Sequence, residues 1–463
     1  MAGRNVFVLI GAGSTVFTPG LLRDLARSPH SDSYEVRLVD LNPDATETMA
    51  RLGRRIVEAA GSSMTVTAHT ERRQALAGAR FVVTTIAVGS AAGWRADLEI
   101  PARYGIAQTV GDTVGPGGVL RALRHIPELV RIAGDVAELA PEAWLINYSN
   151  PLTANVRAIT RETPVATIGL CHGTMHTRAA LAAELGLPVT DLHTVFAGLN
   201  HLCWLLDIRA DGQDLYPRLR QLAAARSGGR DAVPNGREGL HQPVSADLLA
   251  TFGHYPAPGD RHVAEFFGDY LRDTGRSDTS NGGARPGGAR SGDARPGDLP
   301  WGLQEGQDMT LRYIGEKSDL WDQLRAQARG ELAVQPGDNQ EAERLVSIAE
   351  ALITGEDLVE LAVNLPNDGK IPNLPAEAVV EVPALVGAAG ITGLAVGELP
   401  PAIASVLSFR AQQQEITVEA AVTGDRRLAL QALVLDPLVP DSRTARSILD
   451  DAAAAHPALG AFG

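Results

Sequence analysis

The run Asn5-Val-Phe-Val-Leu-Ile10 passes without a break into Gly11-Ala-Gly13-Ser14-Thr15. A continuous apolar, β-rich segment predicts a strand buried on both faces. Beyond the glycines, Gly20-Leu-Leu-Arg-Asp-Leu-Ala-Arg27 has helical spacing, and Glu35-Val-Arg-Leu-Val-Asp40 reads as a second strand ending in an acid. Strand, glycine turn, helix, strand and terminal Asp make up a dinucleotide-binding unit. The glycines let the backbone approach a pyrophosphate, the helix N-terminus stabilises its charge, and Asp40 accepts from ribose hydroxyls. Gly-x-Gly alone is weak evidence, and Val16 stands where a third glycine would complete the fingerprint. An acid twenty-seven residues after Gly13, at a strand end, strengthens it and favours NAD over NADP, because a carboxylate repels a 2′-phosphate.

The alternation continues. Ala79–Ile86 and Ala143–Asn147 read as strands, and Gly118–Ala140 reads as a long amphipathic helix. The glycine-rich stretch Gly105-Ile-Ala-Gln-Thr-Val-Gly-Asp112-Thr113-Val-Gly115-Pro-Gly-Gly118 allows close backbone approach to a ligand, or is an ordinary loop. Asn147-Tyr-Ser-Asn150-Pro151 follows a strand end, where ligands bind in open α/β sheets; the same residues also suit a turn before proline. Arg95 could clamp an anion or a hydroxyl pair, although an isolated Arg is usually solvated.

Thr163–Leu170 reads as a strand that delivers Cys171 and His172 in Gly169-Leu-Cys-His-Gly173. His201 follows in Gly198-Leu-Asn-His201, in a turn before the strand that ends at Asp207. Both reach the sheet edge that holds the glycine turn. A thiol and an imidazole there form a candidate metal pair with positions left for substrate. Cys203 lies in an apolar stretch and reads as core. Thr251-Phe-Gly-His-Tyr255-Pro-Ala-Pro-Gly-Asp260-Arg261-His262 is a loop dense in ionisable groups, among which a Tyr or Asp could abstract a proton.

At 463 residues the chain exceeds one simple core. The expected fold is α/β: a Rossmann-type, doubly wound, NAD-binding domain over 1–200, then an α+β substrate, metal and oligomerisation domain over 201–463. Residues 275–302 are reduced to Gly, Arg, Asp, Pro and Ser and read as a flexible insertion. Asn339–Thr354 reads as a helix stopped by Gly355, and 400–455 as Ala/Leu-rich helices. A net charge of −14 argues against nucleic acid. The two cysteines make no disulfide scaffold, so a reducing cytoplasm is expected. Neither a secretory signal nor a membrane span is predicted.

Taken in order, the Gly-Ala-Gly-Ser turn, Asp-Thr-Val-Gly-Pro-Gly-Gly, Asn-Tyr-Ser-Asn-Pro, Cys-His-Gly, Gly-Leu-Asn-His and Asn364-Leu-Pro-Asn…Ile-Pro-Asn-Leu-Pro375 resemble glycoside hydrolase family 4. These are NAD- and divalent-metal-dependent glycosidases on a lactate/malate dehydrogenase-like fold. The resemblance implies hydride removal from sugar C3, loss of the C2 proton, elimination at C1, water addition and re-reduction, an exception to the two-carboxylate scheme. It implies Cys171 and His201 as ligands of Mn²⁺ or another divalent metal, and Tyr255 or Asp260 as base. His172 would be the proton donor to the leaving group, and Arg95 and Asn150 would hold sugar hydroxyls. Gly11, Gly13, Ser14, Thr15, Asp40 and Asn147 fall on the cofactor site. Cys-His-Gly is similar to members acting on unphosphorylated α-glucosides or α-glucuronides, and Arg261, His262 and Arg95 could hold a uronate. Action on α-galactosides or 6-phospho-glycosides is the alternative within the family. Outside it stand a 2-hydroxy-acid dehydrogenase and an NAD-binding regulator. A homodimer or homotetramer is expected.

Overall fold

The strands β1 (Asn5–Ile10), β2 (Tyr34–Val39), β3 (Thr65–His69), β4 (Phe81–Thr84), β5 (Trp144–Asn147) and β6 (Thr167–Gly169) pair in parallel, in the order 3-2-1-4-5-6. This is the dinucleotide-binding order. It is seen in a computed structural model that describes residues 4–227, 242–272, 299–334 and 344–463. β1 is buried throughout, as its unbroken apolar run predicts. Alternate side chains enter different cores: Phe7 and Leu9 pack on one face, and Val6, Val8 and Ile10 on the other. Truncating Leu9 to Ala would cost about 2–5 kcal/mol through lost transfer energy and the cavity left behind.

The helix Pro43–Ala60 shows how local chemistry sets the element ends. Asn42 accepts the N–H groups of Asp44 and Ala45, Pro43 opens the first turn, and Gly61 closes the helix in the left-handed conformation. The helix expected at Gly118–Ala140 begins earlier, spanning Gly115–Leu139, because Pro116 is admitted in its first turn.

The second half does not build a separate sheet. β7 (His193–Leu199), β8 (Leu202–Ala210), β9 (Gln213–Asp214), β10 (Tyr255–Ala257), β11 (Leu358–Pro366), β12 (Val379–Gly387) and β13 (Gly390–Gly393) extend the first sheet antiparallel, in the path β6-β11-β12-β7-β8-β10. β9 pairs with β8, and β13 with β12. The segment expected as a turn and one strand around His201 is a hairpin of two strands, β7 and β8. Leu199 faces Leu202, so Asn200 and His201 form a two-residue turn. Cys203 is buried core, as read.

The C-terminal helices Pro401–Thr423, Arg426–Val434 and Ser442–Ala455 cover the long helix Gly115–Leu139. Arg410 and Asp436 bond there at 2.7 Å, and Asp436 also accepts the Gly115 N–H at 3.1 Å, so these helices hold the glycine-rich loop in place. Both ions are buried and multiply bonded, the condition under which such a pair persists. The insertion at 275–302 lies outside the described residues except for 299–302, and so does the start of the helix expected from Asn339, whose described part is Leu345–Thr354. Among the described residues no helix is long and apolar enough to cross a membrane.

Candidate active site

The carboxyl ends of β1, β4, β5 and β6 share one edge, and most of the candidate residues gather there. Gly11 has φ of +90°, and a Cβ on it would stand 2.8 Å from the Thr85 and Ile86 backbone. Only glycine lets the chain turn this tightly against β4. Gly13 donates its N–H to Asp40 Oδ2 at 2.8 Å, and the other carboxylate oxygen of Asp40 accepts the Asn42 N–H at 3.0 Å. Ser14 Oγ accepts the Phe17 N–H, and Thr15 is half-buried in the same turn. The helix Phe17–Arg27 starts with neither a cap bond from Val16 nor an acid in its first turn. A helix start left open over a glycine turn, with a carboxylate beside it, fits a pyrophosphate and a ribose. Asn147 is placed differently from its cofactor-binding expectation. Fully buried, it accepts from Thr84 Oγ1 and the Ser149 N–H and donates to the Ser149 carbonyl. Its amide is spent on closing the turn after β5, the alternative reading of that motif.

Cys171 leaves the end of β6, and His172 begins the helix Gly173–Leu185. The His172 ring lies parallel to those of His176 and Phe17, with centroids 5.4 and 6.3 Å apart, which joins the Cys-His pair to the glycine-turn helix. Cys171 Sγ stands 3.5 Å from His201 Nε2. His201 has φ of +66°, a conformation that costs a non-glycine residue on the order of 1–3 kcal/mol and marks functional positions. The turn that imposes it is fixed by the buried Glu381, which accepts from Asn200 at 3.0 Å and Asn364 at 2.9 Å.

On the other side of His201 lie residues whose role local sequence did not disclose. Thr113 Oγ1 is 2.7 Å from His201 Nδ1 and 2.6 Å from Asp112 Oδ1. Asn150 donates to Asp112 Oδ2 at 2.8 Å, so the predicted sugar-binding Asn150 is engaged with a carboxylate. Arg121 donates to the Asn150 carbonyl at 3.1 Å. His262 lies over His201 with ring centroids 4.1 Å apart, and its buried Nδ1 has no protein partner. Ligand atoms of Asp112, His201 and His262 lie within 4.8 Å of one another. A sulfur and an imidazole nitrogen 3.5 Å apart, with a carboxylate and a second imidazole close to the same ring, fit a borderline divalent ion.

Burial pushes the Cys171 thiol up to about 12, with the Glu381 carboxyl adding to the shift. Burial lowers His201 and, far more, His262, so both rings are neutral, the form that binds metal. Burial would raise the Asp112 carboxyl, but the Arg121 guanidinium and the Thr113 hydrogen bond help to hold it below the usual carboxylate range.

Three predicted residues belong elsewhere. Tyr255 is 1% exposed, sits opposite Leu205 on β8, and packs in an apolar cluster with Leu181, Phe196 and Leu249. Asp260 accepts the N–H groups of Val244 and Ser245 and the Ser245 hydroxyl at 2.6–2.7 Å, which caps the helix Pro243–Phe252. Burial raises it to about 6 even so. Neither is placed as a base. Arg95 lies on the solvent side of the helix Ser90–Ala102, 3.6 Å from Glu99, rather than on a sugar site. Arg261 donates to Thr310 at 3.1 Å, beside His262.

Residues 6–187 match the family described as Family 4 glycosyl hydrolase, and residues 196–439 match the C-terminal domain of that family. The chain therefore belongs to the family 4 glycosyl hydrolases, and it is a glycoside hydrolase. It is 30% identical to an α-galactosidase of Bacillus subtilis, over 96% of this chain and 97% of that one. It is 32% identical to an α-glucosidase of Erwinia rhapontici, over 96% of each. Its fold is that of the 6-phospho-β-glucosidase of Thermotoga maritima, solved with manganese, NAD⁺ and glucose-6-phosphate; that chain is 21% identical, with 97% of this chain and 98% of that one covered and a TM-score of 0.76. End-to-end likeness to hydrolases displaces the hydroxy-acid dehydrogenase reading.

Proposed function

We propose that the protein hydrolyses an unphosphorylated α-glycoside, an α-glucoside or α-glucuronide, by oxidation at C3, proton loss at C2, elimination at C1, addition of water and re-reduction. The observation that carries this reading is the 3.5 Å approach of Cys171 Sγ to His201 Nε2 at the edge that also holds Gly11, Gly13 and Asp40. The relative named as an α-glucosidase supports the α-glucoside reading, and both named relatives support an α-glycoside.

NAD and a divalent ion such as Mn²⁺ supply, when bound, a reversible hydride acceptor for C3 and a Lewis acid for the vicinal oxygens. The residues do the remainder. Gly11, Gly13, Ser14 and Thr15 leave backbone room for the pyrophosphate, and Asp40 accepts from the ribose hydroxyls. Cys171 and His201 would hold the ion. His172, at a helix start beside the glycine-turn helix, donates a proton to the leaving oxygen. With Tyr255 and Asp260 committed elsewhere, His262 is the group from that loop beside the metal pair, and its unpartnered Nδ1 is the acceptor for the C2 proton. Arg261 and His262 also provide the positive and donor groups that a uronate carboxylate would need.

The cytoplasm fits two unpaired thiols. An exposed apolar strip of Val359, Leu385 and Leu394 supports a homodimer or homotetramer. The test is turnover of nitrophenyl α-glucoside and α-glucuronide with NAD⁺ far below substrate concentration and Mn²⁺ present. Many turnovers per NAD⁺ without NADH accumulation are expected. Stoichiometric NADH, or full activity after removal of both NAD⁺ and metal, would reject the reading.

A further inference from the structure

We infer that Thr113 and Asp112 form a positioning relay that fixes the tautomer of His201, so that its Nε2 lone pair faces Cys171. The inference rests on the metal role proposed above for Cys171 and His201.

The hydrogens available at these atoms fix the tautomer. The Asp112 carboxylate can only accept. Its Oδ2 is taken by the Asn150 amide at 2.8 Å, and its Oδ1 faces Thr113 Oγ1 at 2.6 Å. The single hydroxyl hydrogen of Thr113 therefore goes to Asp112. Toward His201 Nδ1, 2.7 Å away, the same oxygen has only lone pairs to offer, so Nδ1 must carry the ring hydrogen. The other nitrogen, Nε2, is then left with its lone pair, and it is the one 3.5 Å from Cys171 Sγ.

The relay is also held mechanically. Asp112 and Thr113 are 6% and 5% exposed. A Cβ on Gly118 would fall 2.5 Å from the Thr113 carbonyl carbon, so the helix start packs directly on the relay. Outer groups that donate to or accept from a ligand's second nitrogen set its orientation, and their loss typically costs about 10–100-fold in metal affinity. Asp112 and Thr113 touch no reacting atom in this scheme; they act through His201.

The test is Mn²⁺ binding to the NAD-loaded full chain, followed by loss of the free-ion electron paramagnetic resonance signal, with Co²⁺ as a second, spectroscopic probe. Thr113→Val should weaken Mn²⁺ by about 10–100-fold and shift the visible bands of bound Co²⁺, while NAD binding stays intact. Thr113→Ser, which keeps the hydroxyl, should bind as wild type does. Asp112→Asn should weaken Mn²⁺ comparably, and adding it to Thr113→Val should weaken binding little further, because the two act in series. If the valine variant does not fold, the pair Thr113→Ser and Asp112→Asn carries the same comparison. Wild-type affinity in Thr113→Val overturns the relay; if Asp112→Asn alone is then impaired, Asp112 is a direct ligand. Failure of the wild-type protein to bind Mn²⁺ would overturn the metal role itself, a result distinct from failure of the relay.

Discussion

Cys171 Sγ lies 3.5 Å from His201 Nε2, although the two come from a parallel strand end and from a hairpin turn joined to the same sheet through β11 and β12. The antiparallel extension of the sheet brings them together. Removing the sulfur should therefore remove the ion and leave the nucleotide pocket. Cys171→Ser is expected to lose Mn²⁺ binding and turnover while keeping wild-type NAD affinity, measured by separate titrations. Normal turnover in this variant would contradict the site.

Metal binding should depend on pH with a definite sign. Desolvation pushes the half-buried Cys171 thiol up to about 12, so it is protonated in the metal-free protein near neutrality. Ligation requires the thiolate, so metal binding at Cys171 would release a proton. Mn²⁺ affinity should rise by up to about tenfold per pH unit between roughly pH 7 and 9. A flat profile would show that the sulfur does not ligate.

Asp40, proposed above to accept from the ribose hydroxyls, is bonded to the Gly13 and Asn42 N–H groups. Hydrogen bonds to a charged group contribute about 1.5–3 kcal/mol. Asp40→Ala should weaken NAD by about 10–100-fold and narrow the gap between NAD and NADP, as read by fluorescence titration.

Glu265 gives a stability prediction away from the chemistry. One carboxyl oxygen accepts the Val110 and Gly111 N–H groups and the Thr109 hydroxyl, which anchors the loop leading to Asp112. Burial raises it to about 7. The folded state thus holds a proton that the unfolded chain releases near pH 4.5, so stability is greatest below that and declines as pH rises toward about 7. The loss is on the order of 3 kcal/mol. Glu265→Gln should flatten denaturant-midpoint differences between pH 5 and pH 8; an unchanged pH dependence would place its origin elsewhere.

Tyr255 and Asp260 separate a catalytic from a structural reading of their loop. Tyr255→Phe should keep kcat, and Asp260→Ala should lower stability by about 1–2 kcal/mol through the lost helix cap while the folded fraction stays active. Loss of kcat by orders of magnitude in folded Tyr255→Phe would return the base role to the tyrosine.

The half of the molecule built from local signals was legible in advance. β1, the glycine turn and Asp40 fall within one strand–helix–strand unit of local sequence, and their spacing and strand-end positions point to a nucleotide site. The meeting of Cys171 and His201 was legible because each ends or begins a strand at a known edge. Asp112 and Thr113 were visible only as members of a glycine-rich stretch, since their meaning lies in contacts to His201, 88 residues from Thr113. Tyr255 and Asp260 misled because density of ionisable groups in a loop says nothing of direction. Asp260 turns back to a helix 15 or 16 residues earlier in the chain, and Tyr255 turns into the core. Arg95 has a matching residue type but a helix phase that faces solvent.

In the proposed mechanism the glycosidic bond breaks only after the C2 proton has left, at a site organised by Cys171 and His201. Hydrolysis of an unphosphorylated α-glucoside in D₂O with catalytic NAD⁺ and Mn²⁺, with deuterium located in the product by NMR, separates this from direct displacement. Deuterium is expected at C2 of the released sugar; a product that keeps its original hydrogen at C2 through complete turnover would rule the mechanism out.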